Sequence, residues 1–130
     1  MGRPRSKQPT ELELEILKVL WSTGDSTVRQ IQAALLPARD LAYTTVMTML
    51  VIMTSKGLVR RRKSGTSNVY TAAIEQGTAS TGMLQDLVDR VFGGSVTAVV
   101  QHLIETSDLD SEELKAIRQL VHRKQKEHKS

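Results

Sequence analysis

Three histidines, at 102, 122 and 128, are the side chains of this chain best suited to proton transfer or metal ligation. None has a partner at ligand spacing. Glu105 follows His102 by three residues, but one such pair on a charged helix is a solvated ion pair rather than a site. Glu112 and Glu113 sit where a helix begins, and the helix dipole accounts for them there. There is no cysteine, so thiolate chemistry, disulfides and iron–sulfur ligation are excluded together. No phosphate loop, nucleophile elbow or HExxH pattern occurs. Catalytic residues, metal ligands and cofactors are therefore not expected, and the chain is not read as an enzyme.

The remaining chemistry is that of recognition. Thr44, Thr45 and Thr48 bring hydroxyl and methyl groups close together in sequence. Lys56, Arg60, Arg61, Arg62 and Lys63 follow, and no carboxylate lies between Leu41 and Ile74. Residues 1–74 hold 11 basic and 5 acidic side chains, whereas residues 75–130 hold 7 and 9. A solvated face would mix acids among the bases. A one-signed patch suits a polyanion, and nucleic acid first.

The elements that must position these groups can be read from periodicity. At 130 residues the chain fits one domain or two small units. With 3% aromatic residues the core must come from Leu, Val, Ile and Met, which suits helices packed on helices. Residues 1–9, with Arg3, Arg5 and Lys7, read as a disordered basic arm. Thr10 and Glu13 form a capping-box pattern before a first helix that stops at Gly24. Its apolar residues are Leu12, Ile16 and Val19, with Leu14, Leu17 and Trp21 on an adjoining stripe. A second helix starts near Ser26 or Thr27, buries Val28, Ile31 and Leu35, and ends at Pro37.

The next stretch, "AYTTVMTMLVIM", is rich in β-branched residues, yet its apolar positions do not alternate. Val46, Met49, Leu50 and Met53 gather on one side of a helix, and Thr44, Thr45, Thr48 and Ser55 on the other. Burial of that stripe overrides a per-residue bias of well under ~1 kcal/mol. Gly57 closes the helix. Leu58–Arg62 and Asn68–Ala72 then flank "KSGTS", a hairpin signal. Three short helices followed by a basic hairpin make a winged helix-turn-helix over residues 10–75, in a mainly α protein.

Residues 76–130 read as a three-helix region for dimerisation. Its apolar stripes are Leu84, Leu87, Val88 and Val91, then Val96, Val99, Val100, Leu103 and Ile104, then Leu114, Ile117, Leu120 and Val121. Three such helices cannot easily enclose a core by themselves, so a homodimer is expected. No apolar run approaches bilayer length and the first residues hold no signal-like segment. A cytoplasmic protein without membrane insertion is expected.

"TELELEILKVLW", "TVRQIQAAL", "RDLAYTTVMTML", "KGLVRR" and "LVDRVFGGSV", in this order, resemble the penicillinase-repressor family, the BlaI/MecI/CopY group of bacterial transcriptional repressors. The resemblance runs from Thr10 to about Val121. It implies a homodimer on double-stranded operator DNA, a palindrome of TACA/TGTA-type half-sites, controlling resistance or stress genes and often its own operon. It places the base-reading helix at residues 43–56, with operator contacts at Thr44, Thr45, Met47 and Thr48. Threonine suits that task, since its hydroxyl reaches base edges or phosphates and its methyl packs on thymine. Lys56, Arg60, Arg61, Arg62 and Lys63 are expected to contact the phosphate backbone. Along a strand Arg60 and Arg62 share one face, and Arg61 and Lys63 the other.

The chain departs from the family pattern at Ile52, where members commonly carry Arg, and in lacking the cysteine cluster of the copper-responsive branch. In the antibiotic-responsive branch a membrane-bound sensor metalloprotease triggers cleavage of an Asn–Phe bond in the dimerisation half. The matching bond here is His102–Leu103. The alternative reading is a winged-helix protein-interaction module with a helical scaffold, against which the carboxylate-free basic window argues.

Overall fold

The computed structural model describes residues 8–129. The chain divides into two compact units, and the division falls between Asp86 and Leu87. The first unit opens with helix α1 (Glu11–Thr23), strand β1 (Ser26–Thr27), helix α2 (Val28–Leu35) and helix α3 (Tyr43–Ser55). Strands β2 (Val59–Ser64) and β3 (Ser67–Ala72) form the wing, and helix α4 (Gln76–Phe92) begins within this unit. The fold is mainly α with a winged helix-turn-helix, as the periodicity predicts.

Each helix start has a local cause. Thr10 and Glu13 close the expected capping box on α1. Thr27 and Gln30 close a second one on α2, which sequence reasoning missed. The core then assembles from Ile16, Leu17 and Leu20 of α1, Val28, Ile31 and Leu35 of α2, and Val46, Leu50 and Met53 of α3. Leu58, Val59 and Tyr70 complete it. The stripe expected for α1 is rotated. Leu20 is buried while Leu12, Leu14, Val19 and Trp21 are half-buried, and the buried acid Glu13 takes a position that hydropathy assigns to solvent.

The end of α3 is a Schellman motif. Leu58 N–H donates to the Met53 carbonyl at 2.9 Å and Gly57 N–H to that of Thr54 at 3.1 Å, with Gly57 at φ 78°. Leu58 and Met53 are both buried, which supplies the apolar contact of the motif. A Cβ at Gly57 would meet nothing within 4 Å, so the cost of a side chain there is backbone strain alone. Gly57→Ala is expected to lower stability by about 1 kcal/mol, read as an earlier midpoint in urea unfolding. An unchanged midpoint would show that the left-handed residue is not needed.

The hairpin is tighter than the sequence suggests. Ser64 pairs with Ser67, leaving a two-residue loop of Gly65 and Thr66, with Gly65 at φ 65°. The sheet has a third strand, in the order β1-β3-β2, through the pairs Ser26–Tyr70 and Thr27–Val69. Two residues are too few for a period, and both already serve the entry of α2.

Helix α4 starts at Gln76, earlier than its apolar stripe indicates. The stretch "QGTASTG" resembles a linker in composition, but Ala79 is fully buried and a Cβ at Gly82 would run into the Gln8 side chain. Gln8 and Pro9 are also held, Pro9 being buried, which corrects their assignment to the disordered arm. Residues 1–7 of that arm lie outside the described residues.

The second unit contains the end of α4, helix α5 (Val96–Thr106) and helix α6 (Ser111–Lys129). Ser95 caps α5 through the Ala98 N–H at 3.0 Å, and Asp110 accepts from Glu113 N–H at 2.8 Å at the start of α6. No residue of α5 or α6 is buried. Among the described residues, no helix is long and apolar enough to cross a membrane.

Candidate nucleic-acid interface

Helix α3 is fixed at both ends and along one side. At its entry, the Gln32 amide donates to the Leu41 carbonyl at 2.8 Å, while Arg39 donates to Glu15 at 2.8 Å and lies 3.9 Å from Glu11. Along its length Val46, Leu50 and Met53 are buried and Met49 is half-buried. What remains outward is Thr44, Thr45, Met47 and Thr48, all exposed, together with Val51, 58% exposed. An apolar side chain left exposed beside these threonines suits a thymine methyl or a sugar. Sequence reasoning passed over Val51 because it follows the buried Leu50. Ile52, expected toward the polar face, is half-buried on the flank of the helix.

The basic side chains divide by whether a carboxylate already holds them. Lys56 does not face solvent. Its Nζ lies 2.6 Å from Glu13 Oε1 and donates to the Gln8 carbonyl at 3.0 Å. The side chains are 14% and 2% exposed respectively. Burial alone would raise the Glu13 pKa. The hydrogen bond from Lys56, those from Thr10 and the Lys56 charge outweigh it and hold the carboxyl below its ordinary value. The assignment of Lys56 to the phosphate backbone is therefore corrected: it ties the end of α3 to the start of α1.

Arg62 is also engaged. Its guanidinium donates to Asp25 at 2.8 Å, across the surface from the loop that precedes β1. Hydrogen bonds from Arg62 and then Thr71 hold the Asp25 carboxyl below its ordinary value. The strand alternation expected from sequence explains the direction. Arg61 pairs in register with Tyr70, and Arg62 with Val69, so Arg62 and Arg61 leave opposite faces of the hairpin. Arg60, Arg61 and Lys63 are exposed and make no ion pair among the described residues. The same holds for Arg29, in the first turn of α2, which sequence reasoning did not single out.

Arg29 and Arg61 meet across a groove of about 290 Å³ between α3 and the wing. Tyr43, Met47 and Val51 form its α3 wall, and Ser67 and Asn68 belong to the hairpin side. The Arg29 guanidinium lies 5.2 Å above the centre of the Tyr43 ring. The signal for this pair was tertiary, since 14 positions separate the two residues and no period links them.

In the residues expected at a dimer interface, apolar surface is left open. Leu84 of the first unit is 58% exposed. In the second unit Leu87, Val91, Val96, Val100, Leu103, Ile104, Leu114, Leu120 and Val121 are exposed, and Val99 and Ile117 are half-buried. The expected cleavage bond, His102–Leu103, lies inside α5. The His102 carbonyl accepts from the Thr106 hydroxyl at 2.7 Å and its ring meets the Phe92 edge at 5.7 Å.

The profile of the penicillinase repressor family matches residues 9–123. The chain belongs to the penicillinase repressor family. A transcriptional regulator BlaI of Mycobacterium tuberculosis is 35% identical over 102 residues, 77% of this chain and 74% of that protein. A penicillinase repressor of Bacillus licheniformis is 25% identical over 123 residues, 95% and 93% of the two chains. The methicillin resistance regulatory protein MecI of Staphylococcus aureus is 20% identical over 112 residues, 86% and 91%. The penicillinase repressor family is one of transcriptional regulators and not of enzymes. Its match covers both units of this chain and all the elements that carry the outward face of α3.

Proposed function

We propose that this penicillinase repressor family member is a homodimeric repressor that occludes a palindromic operator with TACA/TGTA-type half-sites. Each protomer places the outward face of α3 in a major groove, and the two-fold axis spaces the half-sites about one helical turn apart. The observation that carries this reading is that face: Thr44, Thr45, Met47 and Thr48 stand outward on a helix fixed at both ends, beside cations that no carboxylate holds. Thr44, Thr45 and Thr48 read base edges, while Arg60, Arg61 and Lys63 supply phosphate contacts that give affinity and register.

Pairing of second units covers the apolar surface of α5 and α6. With no buried residue of their own, these helices lack the packing from which helices in water draw most of their stability. Relief by a sensor metalloprotease that cuts at His102–Leu103 fits the same surface. The bond is helical, so a protease must first unwind α5, and scission severs the apolar stripe that pairing covers. Persistence of intact chain in induced cells while the operator is freed would contradict this route.

Thr48→Ala tests base reading. Specific binding is expected to weaken by about 1 kcal/mol, with tolerance for a substituted base at one operator position. Fluorescence anisotropy on a set of singly substituted duplexes reads both effects. Equal weakening on every duplex would assign Thr48 to the backbone.

A further inference from the structure

We infer that the groove between α3 and the wing seats the phosphodiester backbone of one DNA strand, gripped by Arg29 from one wall and Arg61 from the other, with Tyr43 as the residue that positions Arg29. The inference rests on the DNA-binding reading and adds to it Arg29 and Tyr43, which that reading leaves unassigned.

Three features of the groove favour a phosphate strand. No carboxylate belongs to its lining, although Asp25 and Glu13 neutralise Arg62 and Lys56 elsewhere in the same unit. Its cations come from two elements far apart in sequence. A backbone running between the recognition helix and the hairpin would therefore meet a charge on each side. The apolar Met47 and Val51 suit deoxyribose, and the hydroxyl and amide of Ser67 and Asn68 suit phosphate oxygens.

Tyr43 supplies the geometry. Arginine loses much rotamer freedom on binding, and a guanidinium already stacked on a ring loses less. Tyr43 is also the first residue of α3. The cation that grips the backbone is thereby indexed to the helix that reads bases. Thr27, which caps α2 and lines the groove, fixes the turn from which Arg29 projects.

The test is binding of the full chain to two duplexes, one with an inverted TACA/TGTA repeat and one scrambled, across a salt series. Arg29→Ala and Arg61→Ala are each expected to flatten the log–log salt slope by about 0.9 for each phosphate that is no longer neutralised, on both duplexes alike. Affinity should fall roughly tenfold at physiological salt. Lys18→Ala removes a like charge from the exposed side of α1, outside the groove, and should leave the slope unchanged. Tyr43→Phe keeps the ring and should bind as the parent does. Tyr43→Leu should lose roughly threefold, and should add nothing further in an Arg29→Ala background.

An unchanged slope for Arg29→Ala, with parent binding intact, overturns the seat and leaves the DNA-binding reading standing. A loss confined to the inverted repeat overturns it too, because Arg29 would then read bases. Absence of salt-dependent binding by the parent on either duplex removes both. Thermal midpoints of the variants separate these outcomes from misfolding, and Arg29 and Arg61, both exposed, should leave the midpoint in place.

Discussion

Replacing Lys56 by methionine is expected to destabilise the first unit by about 3 kcal/mol. The cause is the partner left behind. Glu13 is 1% exposed and takes its stabilisation from the Lys56 ammonium at 2.6 Å and from the Thr10 N–H at 2.9 Å. Without the ammonium, a buried carboxylate must either remain uncompensated or take up a proton. A second substitution separates this cause from poorer packing. Glu13→Gln beside Lys56→Met leaves no buried charge and keeps the reciprocal bond to the Thr10 N–H, so most of the loss should be recovered. Urea unfolding of the two variants decides it. A single variant within about 1 kcal/mol of the parent, or a double variant no better than the single one, would contradict the assignment.

The same pair sets an acid limit. The Glu13 carboxyl is held below its ordinary value in the folded chain, so the unfolded chain binds its proton first as pH falls. The stabilisation is complete above the unfolded carboxylate pKa and disappears as pH drops through the folded one. Lys56→Met should abolish that part of the acid sensitivity.

Leu103→Asp is expected to convert the protein to monomers and to weaken binding to an inverted repeat by at least about a hundredfold. Leu103 is 54% exposed and lines an apolar recess between α5 and α6 with Val100, Ile104, Leu109 and Ile117. A carboxylate there costs the isolated chain little, since water still reaches it. Against a second copy it would be buried without a partner, which no apolar gain offsets. Sedimentation velocity reports the assembly state and anisotropy the affinity. A dimer that survives the substitution, or unchanged affinity in a monomer, would contradict the proposed role of this surface.

The parts of the fold that were legible in the sequence are those with a local physical signature. Thr10 and Glu13 announce a helix start, Gly57 its stop, and the spacing of Val46, Leu50 and Met53 makes a helix of a run whose threonines suggest a strand. The outward placement of Thr44, Thr45 and Thr48 follows from the same spacing. What the sequence concealed depends on pairs distant in the chain. Lys56 and Glu13 are 43 positions apart, and Arg62 and Asp25 are 37 apart. A run of cations therefore looked uniformly available when two of its members were already engaged. Arg29 was hidden for the converse reason: nothing near it in sequence marks it, and its place beside Tyr43 and Arg61 exists only in the folded unit. Ile52 becomes intelligible as a half-buried flank residue once the helix is packed.

Selection of bound fragments from a random duplex pool, with the parent chain and with a Thr44→Ala, Thr48→Ala double variant, tests the central claim most directly. The parent is expected to enrich an inverted repeat with half-sites about one helical turn apart. The double variant should lose that enrichment while keeping salt-sensitive binding to the pool at large. Failure of the parent to enrich any repeat, or enrichment of the same repeat by the double variant, would contradict reading of an operator by the outward face of α3.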